Sequence, residues 1–255
     1  MIVLKSRKEL ELMRQAGRIN AEVLQVVREA VYPGVTTGEL NAVAERAQVK
    51  LKAEPVFKGY TFGNRKPPFP TTITTCINEE LVHGIPGTRR LQVGDLLSVD
   101  CASRYQGYIG DSAFSMIVGQ SNAETQRLLT VTERALYVGI EQSVAGNRVG
   151  DIAAAIQQYV ESQNFNVVRG YGGHGVGRTM HEDPHVPNYG IPGKGPLLRP
   201  GMTFAIEPMV LQGEHEVITL PDMWTVVAKD KKITAHFEHT IAITNNGAEI
   251  FTRLE

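Results

Sequence analysis

The sequence predicts an α+β fold of two duplicated halves, roughly residues 1–120 and 121–255, in which a curved antiparallel sheet is covered by two helix pairs. Three observations predict it. The first is a repeated phrase: Leu91-Gln92-Val93-Gly94 leads over four residues and Val99 to Asp100, as Leu198-Arg199-Pro200-Gly201 leads over four residues and Ile206 to Glu207. The second is that other echoes keep the same order. Upstream, His83-Gly84-Ile85-Pro86 mirrors His181-Glu182-Asp183-Pro184, and Gly34 with Gly38-Glu39-Leu40 mirrors Gly146 with Gly150-Asp151-Ile152. Downstream, Asp111 precedes an apolar run from Phe114 to Val118, and Glu238 precedes one from Ile241 to Thr244. The third is that each half opens with two helical patterns and continues into strand-like runs.

Taken in order, Ser6-Arg7-Lys8-Glu9 reads as a capping box, and Leu10, Met13, Ala16, Ile19, Val23, Val26 and Val27 recur at helical spacing to about Val31. Tyr32-Pro33-Gly34 stops that helix. Thr36 with Glu39 caps a second, which runs to about Ala53. Ser121 with Glu124 opens a third helix to about Val144, Ala145-Gly146-Asn147 breaks it, and a fourth covers Asp151 to Phe165. Strand patterns fall at about Thr72–Ile77, Leu96–Ser103, Ile109–Val118, Thr203–Leu211 and Ile233–Thr244.

The chain of 255 residues is 42% apolar and carries a formal charge of −1, enough to bury a sizeable core as one catalytic domain spanning 1–255. The balanced charge, without a basic block, argues against a nucleic-acid surface. No apolar stretch has the length of a membrane span or the form of a signal peptide, so a cytoplasmic protein is expected. Cys76 and Cys101 fit no zinc-binding spacing and read as buried free thiols.

The acids carry the chemistry. In the hairpin between Leu96 and Val118, a turn at Tyr105-Gln106 pairs Asp100 with Asp111, and a turn at Gln106-Gly107 pairs it with Ala113. Both registers put the two carboxylates on one face, away from Leu97, Val99 and Cys101. In the last strand Glu238 shares a face with His236 and Thr240. A pseudo-two-fold axis would bring Asp100, Asp111, Glu207 and Glu238 together. Two unit charges about 4 Å apart repel by roughly 4 kcal/mol at an effective dielectric near 20, so four of them require protons or cations. Two divalent ions would cancel the charge and could activate a water held between them. Gly170-Tyr171-Gly172-Gly173-His174-Gly175-Val176-Gly177 sets one imidazole among glycines, which permit close backbone approach. A flexible loop is the alternative for that segment taken alone. One imidazole with four carboxylates suits cobalt, manganese, iron or zinc.

On these residues the chain resembles the type I methionine aminopeptidases of metallopeptidase family M24, over nearly its whole length. The resemblance implies the pita-bread (creatinase/aminopeptidase) fold and a dinuclear metal hydrolase. Asp100, Asp111, His174, Glu207 and Glu238 stand in the five metal-ligand positions of that family, in its order and spacing. It implies that Asp111 and Glu238 bridge two divalent ions, that Asp100 binds one, and that His174 and Glu207 bind the other, with Glu207 also moving a proton. By the same resemblance His83 lies near the scissile end of the substrate, His181 stabilises the tetrahedral intermediate, and Tyr60, Phe69 and Trp224 line the methionine pocket. For Trp224, core packing is an equal reading on physical grounds.

The implied substrates are nascent polypeptide N-termini with a small second residue, with ribosome association as an adjunct, no membrane and a monomeric enzyme. Three departures bear on the pocket: Met180 replaces the usual phenylalanine, Thr74 a common cysteine, and 61–68 is longer than in compact members. Pro67-Pro68-Phe69-Pro70 reads as a rigid rim, with polyproline docking as the lesser alternative. Two other functions fit the sequence less well. A prolyl-type aminopeptidase of the same fold usually carries an extra N-terminal domain, and an inactive binding protein would be free to lose ligands that are all present. The 33 residues between His174 and Glu207 leave no room for the insert of a type II enzyme.

Overall fold

The computed structural model describes residues 1–61 and 67–254. Among them the helices are α1 Arg7–Glu29, α2 Thr37–Lys50, α3 Ala123–Glu141 and α4 Val149–Ser162. The strands are β1 Glu54–Pro55, β2 Ile73–Ile77, β3 Glu80–Val82, β4 Leu96–Tyr105, β5 Tyr108–Ile117, β6 Asn166–Val167, β7 Gly172–Gly175 and β8 Glu182–Pro187, followed by β9 Thr203–Ile206, β10 Met209–Leu211, β11 Val217–Thr219, β12 Val226–Ala228, β13 Thr234–His236, β14 Glu238–Thr244 and β15 Gly247–Ile250.

Both capping boxes of the first half form as expected. Glu9 accepts from the Ser6 N–H at 2.8 Å and the Glu9 N–H donates to the Ser6 hydroxyl at 3.4 Å; Thr36 and Glu39 repeat this at 2.7 and 3.1 Å. The second half differs by one or two residues. Asn122, not Ser121, caps α3, because its Oδ1 accepts from the Thr125 N–H at 2.9 Å while the Ser121 hydroxyl donates to the Gly94 carbonyl. Asp151 is the third residue of α4 rather than its start, accepting from the Arg148 N–H at 2.7 Å.

The main sheet runs β1-β4-β5-β14-β9-β7-β8, with β2 also on β4 and β15 on β14. Its centre, β4-β5-β14-β9, is a palindrome of the two repeated units, so the duplication read from the sequence is the symmetry of the sheet. The hairpin β4–β5 is laddered over ten residue pairs and turns at Gln106-Gly107, both at positive φ (48° and 82°). That selects the register in which Asp100 opposes Ala113. Within this sheet the join between the halves is far shorter: β5 and β14 pair only through Ala113–Glu238 and Ser112–His239.

Two predicted strands are each broken in two. Thr203–Leu211 divides at Glu207-Pro208, since proline has no N–H to continue a ladder, and Ile233–Thr244 divides at Phe237, whose N–H turns to the Pro208 carbonyl. At the second break Ser115 replaces the missing pairing. Its hydroxyl accepts from the His236 N–H (3.0 Å) and donates to the His236 carbonyl (2.7 Å), which leaves Ser98 as the donor in the 2.7 Å Ser98–Ser115 contact. Ser115→Ala would orphan the buried His236 N–H and carbonyl. A loss of about 1–3 kcal/mol is expected, read as a lower denaturant midpoint with unchanged slope.

All four helices lie on one side of the sheet. A continuous apolar layer holds Val23 and Val27 of α1, Leu40 of α2, Leu128 and Val131 of α3, Ile152 and Ile156 of α4, and Leu97, Val99 and Cys101 of β4. Cys76 and Cys101 are free and buried, as expected. The opposite face of β4 carries Asp100. This is the pita-bread architecture: an α+β fold whose curved antiparallel sheet presents its uncovered face to the site.

Candidate metal centre

Sheet register aligns Asp100, Asp111 and Glu238, and Glu207 follows where the β9–β14 ladder ends. Asp100 opposes Ala113, Ala113 opposes Glu238, and Glu207 comes directly after the terminal Ile206–His239 pair. A second row lies two residues along, on the same face. There Asp111 stands beside Thr240, whose hydroxyl donates to the Asp111 carbonyl (2.7 Å) and accepts from its N–H (3.1 Å). His174 follows on β7, one step from the Gly175–Phe204 pair. The segment around it is a strand, not a flexible loop. A Cβ on Gly173 would lie 2.1 Å from the Ala205 carbonyl oxygen, and one on Gly175 would lie 2.2 Å from that of Asp183, so glycine is what lets β7 press against both neighbours.

The His174 Nε2 lies 3.6 Å from Asp111 Oδ2 and 3.7 Å from Glu207 Oε1, while its Nδ1 faces the Gly175 carbonyl at 3.0 Å. Asp111, Glu238 and His174 are buried. Burial first, and then neighbouring carboxylate charge, drives all four acids upward: Asp111 and Glu207 to about 8, Asp100 and Glu238 well above the usual range. Burial holds His174 down to about 4. Asp100 Oδ1, Asp111 Oδ1 and Glu238 Oε1 are buried with no hydrogen-bond partner among the described residues. No lysine or arginine among them forms an ion pair with any of the four acids. Buried carboxylate oxygens aimed at one another, with an imidazole at the rim, fit a divalent cation and are otherwise hard to stabilise.

A recess opens on the acids. Phe57, Tyr60, Phe69, Met180 and Trp224 form its apolar wall; His83, His181 and Thr74 also line it. Every residue expected from the sequence as a ligand, catalytic group or pocket wall therefore meets here. Trp224 lines the recess while remaining packed: it is 3% exposed, lies edge-on to Phe69 at 5.2 Å, and donates from Nε1 to the Pro67 carbonyl at 3.1 Å. That bond ties the proline-rich stretch to the pocket, although residues 62–66 of the longer loop lie outside the described residues. His83 has φ of 60°, an uncommon backbone conformation for a non-glycine residue and of the sort found at functional sites. The Tyr60 hydroxyl and His181 Nδ1 are 2.6 Å apart, and the His181 and His174 ring centroids lie 4.2 Å apart with the rings tilted by 50°. A wider recess continues past His83, His174, His181 and Glu207 to Val82, Tyr171, His185 and Met209.

Sequence reasoning missed two members. Phe57 carried no signal beyond being aromatic. His236 was noted only as a face-mate of Glu238, yet its Nε2 lies 3.6 Å from Glu207 Oε2 and 3.9 Å from Glu238 Oε2. Two groups of side chains have the spacing of a cation site, Asp111 with His174 and Glu238, and Glu207 with His236 and Glu238.

A buried acid cluster at the seam of a duplicated sheet, beneath an apolar recess, defines a metal-dependent hydrolase, and the chain belongs to metallopeptidase family M24, whose description matches residues 11–245. Within that family it falls among the bacterial methionine aminopeptidases. It is 50% identical to methionine aminopeptidase 1 of Bacillus subtilis over the full length of both chains. The crystal structure of a methionine aminopeptidase from Thermotoga maritima superposes with a TM-score of 0.96 at 44% identity, covering all of both chains. A prolidase from Pyrococcus horikoshii shares the fold at a TM-score of 0.78 and 24% identity, with 100% of this chain matched to 65% of that one. The prolyl-type alternative thus rests on fold alone.

Proposed function

We propose that this chain is a methionyl aminopeptidase, removing the initiator methionine from nascent polypeptides whose second residue is small. The observation that carries this reading is the recess itself, whose apolar wall ends on the carboxylate face. Asp100, Asp111, His174, Glu207 and Glu238 would together hold two divalent ions. Bound there, such ions would supply Lewis-acid polarisation of the scissile carbonyl and a water of lowered pKa.

The remaining steps belong to the chain. Phe57, Phe69, Met180 and Trp224 accept the methionine side chain, with thioether–aromatic contact favouring sulfur over a plain alkyl group. The wider recess beside Tyr171 and Met209 receives the rest of the peptide. Burial, and then the nearby His174 and His83, hold His181 down to about 3, so it is neutral at working pH. With Tyr60 donating to Nδ1, the His181 proton sits on Nε2, where it can donate to the carbonyl oxygen as negative charge develops. His83 meets the scissile end, and Glu207 takes a proton from the attacking water and delivers it to the leaving amine.

Tyr60→Phe removes that lock on the tautomer. About a tenfold fall in kcat with little change in KM is expected, measured on a Met-Ala peptide alongside an unchanged melting temperature.

Residues 1–255 are taken to act as one catalytic unit and as a monomer, the five ligand positions of this chain being complete without a second copy. No described helix is long and apolar enough to cross a membrane. The cytoplasm, where nascent chains emerge, is the proposed compartment, with association at the ribosome. Assays of Met-Ala-Ser against Ala-Pro peptides, with and without cobalt, manganese, iron or zinc, test the assignment. Cleavage of Met-Ala-Ser with added metal is expected; turnover of Ala-Pro alone, or of neither with any ion, would overturn it.

A further inference from the structure

We propose that His236 is a positioning residue for Glu207, donating from Nε2–H to Oε2 so that Oε1 is presented toward the ion shared with His174. The inference rests on the metal-centre reading above and extends it to a residue outside the five ligand positions.

The two oxygens of Glu207 face two different imidazoles. Oε1 lies 3.7 Å from His174 Nε2 and Oε2 lies 3.6 Å from His236 Nε2. The nitrogen of His174 is needed for metal, so His236 is the one left to hold the carboxylate. Glu207 needs holding, because it sits at the strand break before Pro208, outside the ladder that fixes Asp100 and Asp111. His236 is the opposite case. Its backbone is paired with Met209 on one side and clamped by Ser115 on the other, and the residue is 2% exposed. The fixed ring therefore sets where the carboxylate goes.

The proton on Nε2 follows from the surroundings. Among the described residues that atom is buried with no hydrogen-bond partner, and the acids in reach are Glu207 and Glu238. A lone pair pointed at carboxylate oxygens would repel them, whereas N–H is attracted and is satisfied when Glu207 closes the last half-ångström or so to hydrogen-bond distance. Imidazoles and amides that orient ligating carboxylates in this way change metal affinity by about 10–100-fold when removed.

The test uses metal-free wild type, His236→Gln and His236→Leu, titrated with manganese by calorimetry and with cobalt by visible absorption. Glutamine can still donate an N–H toward Glu207, so its affinity and cobalt spectrum should stay within about threefold of wild type. Leucine should weaken the ion held by His174 and Glu207 by about 10–100-fold and lower kcat more than it raises KM, with a metal-free melting temperature no lower than wild type. If His236→Leu does not fold, His236→Asn, too short to reach Glu207, replaces it with the same expectation. Wild-type affinity in the leucine or asparagine variant would overturn the proposal. So would a glutamine variant as impaired as leucine with an altered cobalt spectrum, which would make the imidazole itself a ligand. Wild type that binds neither ion would instead overturn the metal-centre reading.

Discussion

Glu238→Gln is expected to reduce kcat/KM on a Met-Ala peptide by at least about 10³-fold while leaving the metal-free protein folded and no less stable. The residue is common to both groups of side chains with cation spacing, so a single substitution disturbs both positions of a binuclear centre. It is also 2% exposed with one oxygen unpartnered, and burial together with three neighbouring acids drives its carboxyl well upward. Exchanging that group for a neutral amide of the same shape removes charge the metal requires and the empty site disfavours. Loss of Lewis-acid assistance corresponds to several kcal/mol, or about 10³-fold for each 4 kcal/mol. Elemental analysis should find substoichiometric metal, and thermal melts without metal should match or exceed wild type. Full activity with intact metal content would remove Glu238 from the centre.

Removing metal is expected to make stability fall as pH rises from about 6.5 to 8. Asp111 and Glu207, raised to about 8, keep protons in the folded state that they lose in the unfolded state above about 4 to 5. The folded form then binds more protons, so its advantage is present at low pH and is lost as pH climbs through 8. The buried histidines act oppositely, but lower down. His174 at about 4, His181 and His236 at about 3, and His239 at about 4 favour folding increasingly through the unfolded value near 6.5, and their contribution levels off by about pH 7.5. The carboxyls then dominate, each one still protonated lowering stability by about 1.4 kcal/mol per pH unit. Divalent metal displaces those protons, so the gap in melting temperature between loaded and stripped protein should widen from pH 6.5 to 8. A gap that narrowed over that interval would contradict the protonation scheme.

The four acids were legible because sheet parity is strict, whereas His83, His181, Tyr60, Phe69 and Trp224 were legible only through the family resemblance. Once Asp100 and Asp111 were placed on one hairpin, either turn gave them a common face, and the repeat carried the same logic to Glu207 and Glu238. The duplication was legible because each unit had to bury the same kind of face. What sequence left hidden was hidden for physical reasons. Nothing local marks the break at Phe237, which follows from the arrival of Pro208 and of the Ser115 hydroxyl from distant chain. Strand β7 is built of glycines, whose local preference is against a strand, and forms because two neighbouring backbones demand the space. Asn122 outcompeted Ser121 as a cap only because the Gly94 carbonyl was there to engage the serine.

The seam between β5 and β14 has a further consequence. Ten ladder pairs stitch each residue of β4 to β5, but within the main sheet only two stitch one half to the other at β5–β14, and the acids straddle that join. Bound ions would act there as rivets through a thin weld. The backbone amides of Ser112, Ala113 and His239 should accordingly be among the first to admit deuterium when the protein is stripped of metal, and among those most slowed when it is restored.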